Sequence, residues 1–165
     1  MGVKGVLFEI GGQNYAIDLL RVDGIENYRN MMVVPNAPAC IEGIINLRGK
    51  LIPIYNLRTK FHLPRIPATA DTKIIVAKAN QVPVGYLVDN VTGIESFEDE
   101  DLNYAPYLVQ NVETEYIKSV AFFKDGLTIF LDTERILTKE ERERIWKLIE
   151  TQKKIVEEKE KGKAE

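Results

Sequence analysis

Hydrophobic and polar residues alternate along most of the chain up to about residue 137. Near the N-terminus, for example, Val6, Phe8 and Ile10 are separated by single residues. A period of two is typical of β-strands, and turn signals such as Asp125-Gly126 separate the segments that show it. The pattern therefore predicts a β-rich region. The expected strand segments are 5–10, 14–18, 22–28, 41–46, 51–57, 72–78, 84–89, 117–123 and 127–132.

Two sets of these segments resemble each other and occur in the same order along the chain. Residues 15–18 and 22–26 resemble 86–89 and 91–95, and the hairpin 44–54 resembles 120–130. Repeated short strands at this spacing are typical of small barrels. We therefore expect two similar β-barrels packed side by side, with chance similarity between hairpins as the alternative.

Beyond residue 137 the pattern becomes helical. Thr138 and Glu141 have the spacing of a capping box, which marks the start of a helix. The residues that recur at helical spacing and form one stripe are Ile145, Leu148, Ile149, Gln152 and Val156. We expect a helix over 138–157 whose stripe docks on the body, with a partner-seeking helix as the alternative. The segment 158–165 contains only Glu, Lys, Gly and Ala and is expected to be a charged, disordered tail.

Composition narrows the classes of partner. Of the 165 residues, 45% are hydrophobic and 28% charged, an ordinary globular balance that suits one domain or two small ones. The net charge of -3 argues against a nucleic-acid partner, which normally requires a basic surface. The longest apolar runs are far shorter than the roughly 20 residues of a membrane-spanning helix. Cys40 is the only cysteine, so no internal disulfide can form, and a cytoplasmic location is expected.

Catalytic chemistry has few candidates. His62 is the only histidine, which excludes a multi-histidine metal site, and Cys40 precedes an apolar strand as a small buried residue would. Gly11-Gly12 lacks the Gly-Lys-Ser/Thr of a phosphate-binding loop. The carboxylates at 98–101 lack the spacing of a calcium loop and are expected to form a solvated face. We therefore predict no catalytic residues, no metal and no cofactor.

The most distinctive segment, 41–58, is a hydrophobic strand, a tight turn and a second hydrophobic strand. Gly43 and Gly49 permit close backbone approach or a positive φ. Pro53 cannot donate a ladder hydrogen bond, so its strand is expected at a sheet edge or with a bulge there. Arg48 at the turn tip is suited to binding a carboxylate or a helix C-terminus, and a plain surface residue is the alternative.

This hairpin resembles the signature hairpin of the CheW family. The matching pieces are Gly-Ile-Ile-Asn-Leu-Arg-Gly at 43–49, Ile-Pro-Ile at 52–54 and Leu-Arg at 57–58, with weaker matches at 34–38, 61, 84–91, 105–106, 115–117 and 129–132. The resemblance covers about residues 4–137. Three positions depart from the family pattern: Asn56 where Asp is usual, Ser119 where Gly is usual, and Gly24 where an acidic residue is frequent.

The resemblance implies a mainly β fold over residues 1–137, with two small five-stranded SH3-like barrels around a shared hydrophobic interface. It also implies a non-catalytic cytoplasmic adaptor, a monomer when free, that couples chemoreceptor cytoplasmic tips to the regulatory domain of the histidine kinase CheA. It would associate with receptor arrays at the inner face of the membrane. The alternative is a related protein that scaffolds a different kinase system or polar array. A nucleic-acid-binding barrel and a small enzyme are further alternatives; the first would need a basic, aromatic-lined sheet face.

Position by position, the resemblance also implies a set of site residues. The receptor-facing residues are Val22, Ile25, Arg48, Gly49, Val91 and Ile94, and Gly43 is expected to support the turn geometry. An apolar groove between the barrels would suit a receptor helix. For each aliphatic member, an ordinary place in the core is the alternative. The kinase-facing surface is assigned only to exposed strand and loop edges.

Overall fold

The structure, a computed structural model, describes residues 2–103, 115–123 and 126–164. Over these residues it contains eleven β-strands and two α-helices. The strands are β1 Val3–Ile10, β2 Gln13–Asp18, β3 Val22–Asn27, β4 Ile41–Leu47, β5 Lys50–Asn56, β6 Lys73–Ala79, β7 Val82–Val88, β8 Asn90–Phe97, β9 Leu102–Asn103, β10 Ile117–Phe123 and β11 Gly126–Leu131. The helices are α1 Leu57–Lys60 and α2 Lys139–Ala164. The motif piece at 105–106 and the turn residues 124–125 lie outside the described residues.

The strands form two mixed sheets. Sheet A has the order β8-β1-β2-β11-β10-β9, and sheet B has the order β3-β6-β7-β5-β4. Each contains one parallel pair, β2 with β11 in sheet A and β5 with β7 in sheet B. The predicted mainly β fold with a C-terminal helix is confirmed, and the two sheets stand where two small barrels were expected. Sheet A has six strands instead of the expected five, because the two-residue strand β9 pairs with β10.

The two sheets follow the same plan. Matching β8, β1, β2, β11 and β10 with β3, β6, β7, β5 and β4 reproduces the order and the parallel pair. Equivalent bulges leave Asp23 of β3 and Thr92 of β8 as extra residues in their ladders. Even β9 has a counterpart, because Met32 forms an isolated bridge with Ile44 where β9 pairs with Val120. The topology thus agrees with the repeat seen in the sequence.

Neither sheet is built from one continuous half of the chain. The hairpin β1–β2 belongs to sheet A, but the next strand, β3, joins sheet B through the short 3-10 turn Leu19–Arg21. Likewise β6 and β7 belong to sheet B, and β8 returns to sheet A directly after Asp89. The two crossovers place β3 and β8 at equivalent edges of the opposite sheets.

Three apolar clusters hold this arrangement together. The largest lies between the sheets and includes Val6 and Phe8 of β1 and Ile75 and Tyr86 of sheet B. A second lies against the other face of sheet A and includes Leu7, and a third lies against sheet B. Strand β1 is therefore buried on both faces, which is why apolar residues are consecutive there instead of strictly alternating. Burying one such large side chain contributes roughly 1.5–3 kcal/mol.

The signature hairpin differs from expectation at Pro53. Strand β5 lies between β7 and β4 inside sheet B, so the expectation of an edge strand is wrong. The ladder with β7 begins at Ile54, so Pro53 lies just before it, where its missing N–H leaves no gap in that ladder. The bulge in this hairpin falls between Ile41 and Gly43 and not at Pro53.

Helix α2 begins as predicted. Glu141 Oε1 accepts from the Thr138 backbone N–H at 2.9 Å, and the Glu141 N–H donates to Thr138 Oγ1 at 3.1 Å, which completes the capping box. The Tyr55 hydroxyl also donates to the Glu141 carboxylate, at 3.0 and 3.1 Å to its two oxygens. The start of the helix is therefore fixed both by its own cap and by strand β5.

The predicted stripe docks on the body. Ile145 and Ile149 are buried in the cluster between the sheets, and Leu148 packs against it. The side chain of Val156 lies outside the described residues. The segment expected to be disordered from 158 onward is instead helical as far as Ala164, a difference explained by the good helix propensity of its Glu, Lys and Ala residues.

Candidate partner-binding surface

Four of the predicted receptor-facing residues lie on the edge strands, two on each. Val22 is the first residue of β3 and Val91 the second residue of β8; both are partly buried and pack against the cluster between the sheets. Ile25 and Ile94 are 40% and 53% exposed. The alternative of ordinary core therefore applies partly to the two valines and does not apply to the two isoleucines.

Ile25 and Arg48 line the same groove. It has a volume of about 660 Å³ and lies between β3 and the β4–β5 turn. Its apolar lining comes from Ile25, Leu47, Ile52, Val76 and Pro83, and its polar lining from Asp23, Glu26, Arg48, Lys50, Lys78 and Gln81. The structure thus brings two of the predicted residues together, while Val22, Val91 and Ile94 lie outside the lining of this groove.

Arg48 is held in an uncommon backbone conformation. Arg48 and Gly49 form a two-residue turn with φ of 53° and 85°, and the Gly49 N–H donates to Asn46 Oδ1 at 2.9 Å. A non-glycine residue in this left-handed region costs about 1 kcal/mol. The Arg48 side chain is exposed, and among the described residues it has no ion-pair partner. The turn therefore contributes an uncompensated cation to a groove whose lining is partly apolar and partly polar.

The two glycines of the hairpin have different roles. A Cβ at Gly49 would meet open space, so its positive φ is what favours glycine there. Gly43 lies within β4, and a Cβ there would be 2.7 Å from the Met32 carbonyl oxygen and 2.8 Å from Met31 Cβ. Glycine at this position therefore permits the close approach of the segment that bridges to Ile44, in line with the close backbone approach expected there. Its support of the turn geometry stays a prediction.

Sequence reasoning missed several groove residues. Lys50 follows the turn directly and could have been inferred from the hairpin. Lys78 could not, because it reaches the groove only through the pairing of β6 with β3 and β7. The acidic side of the groove, Asp23 and Glu26, likewise depends on β3 having crossed from sheet A to sheet B.

The residues considered for catalysis occupy different local environments. His62 is exposed just after α1 with a φ of 61°. Burial is the main cause that raises the pKa of the half-buried Cys40 thiol above its usual value, which disfavours the reactive thiolate. Within the described ranges, no three His, Cys, Asp or Glu side chains are arranged to hold a metal ion. Among the described helices, none combines the length and the apolar character needed to span a membrane.

The fold and this surface define a class, a two-sheet β module with an exposed edge-strand surface suited to binding another protein. Comparison with known proteins identifies the family. The CheW-like domain family model matches residues 4–141, and the chain belongs to that family. It is a family of non-catalytic scaffold and adaptor proteins, and its recognition from the hairpin is confirmed.

Individual relatives agree with this assignment. The chain is similar to the chemotaxis protein CheW of Klebsiella aerogenes, with 33% identity over 86% of this chain and 85% of the relative. It is also similar to the chemotaxis protein CheW of Bacillus subtilis, with 30% identity over 84% and 89% of the two chains. The crystal structure of the scaffolding protein TtCheW from Thermoanaerobacter tengcongensis matches with a TM-score of 0.77 and 25% identity, over 86% of this chain and 91% of that one. Together these support a chemotaxis adaptor.

Proposed function

We propose that this protein is a non-catalytic adaptor that couples the cytoplasmic tips of chemoreceptors to the histidine kinase CheA in a ternary signalling complex. The observation that carries the proposal is the groove shared by Ile25 and Arg48, two positions that the family resemblance assigns to the receptor. Family membership supports chemotaxis as the process. Such an adaptor would act in the cytoplasm, next to receptor arrays at the membrane.

The chemistry of the groove fits an amphipathic helix. Its apolar lining, with Ile25 and Leu47, can receive the apolar stripe of a helix. The cations Arg48, Lys50 and Lys78 can pair with carboxylates on the polar side of that helix or with the carbonyl groups at its C-terminus. Asp23 of β3 would then favour a partner that also carries a cation, whereas Glu26 already pairs with Arg29 at 3.2 Å. Opposite charges at different places in the groove give its ligand a preferred orientation.

The kinase is expected to bind elsewhere. An adaptor that holds two partners at once cannot use one patch for both, so we assign the regulatory domain of CheA to other exposed strand and loop edges. Exposed apolar side chains outside the lining of the groove, such as Phe122 of β10, are candidates for such a second surface. The free adaptor is expected to be a monomer.

The test is reconstitution of the complex. We expect the protein to have no activity alone and to change CheA autophosphorylation when a receptor cytoplasmic fragment is present. Equal phosphorylation with and without the protein, at saturating receptor and kinase, would contradict the proposal. Capture of receptor together with a different histidine kinase, without CheA, would instead identify a scaffold of another kinase system.

A further inference from the structure

A partly buried ion pair joins the two sheets where β7 leads into β8. Arg58 Nε and Nη2 donate to the two carboxylate oxygens of Asp89 at 2.8 and 2.6 Å. The Gly11 backbone N–H donates to the same carboxylate at 2.9 Å. Gly11 lies in the β1–β2 turn of sheet A, whereas Arg58 lies in α1, directly after β5 of sheet B. This group, named the first clamp, ties the crossover to both sheets.

The first clamp is well shielded and charged. The side chains of Arg58 and Asp89 are only 15% and 23% exposed. Burial alone would raise the pKa of Asp89, but the hydrogen bonds from Arg58 and Gly11 outweigh it and hold that pKa below its usual value. A bidentate pair of this kind is directional as well as strong, unlike the apolar contacts around it.

A second group of the same design lies at the other crossover. Glu134, which follows β11 of sheet A, accepts from the Asn80 N–H at 2.7 Å, and its other oxygen lies 3.5 Å from Arg21 Nη1. Asn80 is in the β6–β7 turn of sheet B, and Arg21 ends the crossover from β2 to β3. In this second clamp the acid and the arginine have exchanged positions, and the side chain of Arg21 is 58% exposed.

The two clamps occupy equivalent places when the sheets are matched strand by strand. Each joins a hairpin turn of one sheet, a crossover, and the segment after a strand of the other sheet. Asp89 immediately precedes β8, and Arg21 immediately precedes β3. Each clamp therefore holds the start of one edge strand, and those strands carry Val22 with Ile25 and Val91 with Ile94.

We propose that the Arg58–Asp89 clamp is a positioning device that fixes β8 relative to β3, and that the Arg21–Glu134 clamp is its weaker counterpart. The apolar cluster between the sheets is non-directional and would permit small shifts of one sheet over the other. The first clamp, bidentate and shielded, restricts such shifts, whereas the second, longer and more exposed, does so less. The importance of the first clamp for receptor binding rests on the proposed function.

The test measures the distance between the edge strands in the free protein. Spin labels are attached at Asn27→Cys on β3 and Ser96→Cys on β8, both exposed, in a Cys40→Ala background. Pulsed electron paramagnetic resonance then gives the distance distribution. We expect Asp89→Asn to broaden or shift it clearly, and Glu134→Gln to do so less. Arg58→Lys keeps the charge but loses the bidentate fork, so it should give an intermediate result.

The matched control is Arg135→Gln. Arg135 pairs with Asp132 at 3.6 Å, three residues away on the same segment, so losing that pair should leave the distribution unchanged. Circular dichroism and thermal melts establish that each variant is folded. An unchanged distribution in folded Asp89→Asn protein would overturn the proposal; if that variant does not fold, the milder Arg58→Lys decides in the same way.

Receptor affinity provides a separate measurement. In folded Asp89→Asn protein we expect affinity for a receptor cytoplasmic fragment to fall about fivefold or more, the low end of the range for coupled sites. A broadened distribution with unchanged affinity would overturn the link between the clamp and the receptor surface. The distance measurement involves no receptor, so a failure of the clamp and a failure of the proposed function are distinguished.

Discussion

Strands β3 and β8 lie at equivalent edges of the two sheets, but their surroundings differ. Both carry the pattern Val-x-Gly-Ile, both have a bulge after the valine, and both expose the isoleucine. Ile25 of β3 shares its groove with Arg48, Lys50 and Lys78, whereas Ile94 of β8 lies outside that groove. The two edge strands share the same backbone arrangement, but the side chains around them differ.

The two equivalent hairpins, β4–β5 and β10–β11, differ in sequence between their strands. The two-residue turn between β4 and β5 is Arg48-Gly49, and the corresponding positions between β10 and β11 are Lys124-Asp125. In sequence, the first pair has one basic residue and no acidic residue, whereas the second pair has one basic and one acidic residue. Because an edge strand alone offers any partner the same backbone groups, the charge of the adjacent turn determines which partner is favoured.

The largest expected effect separates the valines from the isoleucines. Val22→Asp and Val91→Asp bring a carboxylate against the cluster between the sheets and should lower the free energy of unfolding by about 2–3 kcal/mol. Ile25→Asp and Ile94→Asp should lower it by less than about 1 kcal/mol, because these side chains are already 40% and 53% exposed. Urea denaturation measures all four variants. If Val22→Asp were as stable as Ile25→Asp, Val22 would not belong to the core.

The next effect concerns partner binding and tests whether the two edges are equivalent. Arg48→Asp should reduce receptor affinity by about ten- to a hundredfold, since it removes a charge-assisted hydrogen bond worth roughly 1.5–3 kcal/mol. Among folded variants, Ile25→Asp should weaken receptor binding more than Ile94→Asp, because Ile25 lines the cationic groove. Titration of a receptor cytoplasmic fragment, for example by calorimetry, measures each affinity.

Controls for this prediction use other exposed positions and the other partner. Arg135→Ala removes an exposed arginine from a different surface and should leave receptor affinity unchanged. Binding of CheA should survive Arg48→Asp. If folded Arg48→Asp protein bound receptor normally but lost CheA, the hairpin would be assigned to the kinase and the receptor to another surface.

The sequence predicts the strands, the repeat and the capping box well because each depends on residues close together in the chain. The sequence could not predict that β3 and β8 each join the opposite sheet, because the alternating pattern of a strand does not specify which sheet it joins. Pro53 was misplaced for the same reason: its strand is internal, but only the register with β7 reveals that the proline precedes the ladder.

The sequence predicted those residues of the site that belong to a single turn. Arg48 and Gly49 follow from the hairpin motif, but Lys78 enters the groove through the pairing of distant strands. The clamp residues Arg58 and Asp89 are 31 positions apart, and nothing in their local sequence indicates that they meet. For Gly43 the sequence predicted close backbone approach, but only the structure identifies the approaching residue as Met32.

A smaller effect, on stability against pH, tests the shielded clamp at the β8 crossover. Because the pKa of Asp89 in the folded protein lies below its unfolded value, its contribution is fully present above about pH 4 and is lost as the pH falls through the folded pKa. Asp89→Asn should therefore be about 1–2 kcal/mol less stable than wild type at neutral pH. That difference should shrink toward pH 2. A difference independent of pH, in urea denaturation at several pH values, would contradict this account.

The smallest expected effect concerns the β4–β5 turn, where Arg48 adopts a left-handed backbone conformation. Asn adopts the left-handed conformation at lower cost than Arg and is preferred at this position of a two-residue turn. Arg48→Asn should therefore raise the free energy of unfolding by about 0.5 kcal/mol while weakening receptor binding. Gly49→Ala, at a φ of 85° and with open space around it, should instead lower stability by about 1 kcal/mol. Thermal melts and receptor titrations on the same samples measure both quantities. A gain in stability with a loss of binding would mean that the strained arginine is retained because it binds the partner. If Arg48→Asn protein bound receptor as well as wild type, Arg48 would not belong to the receptor interface.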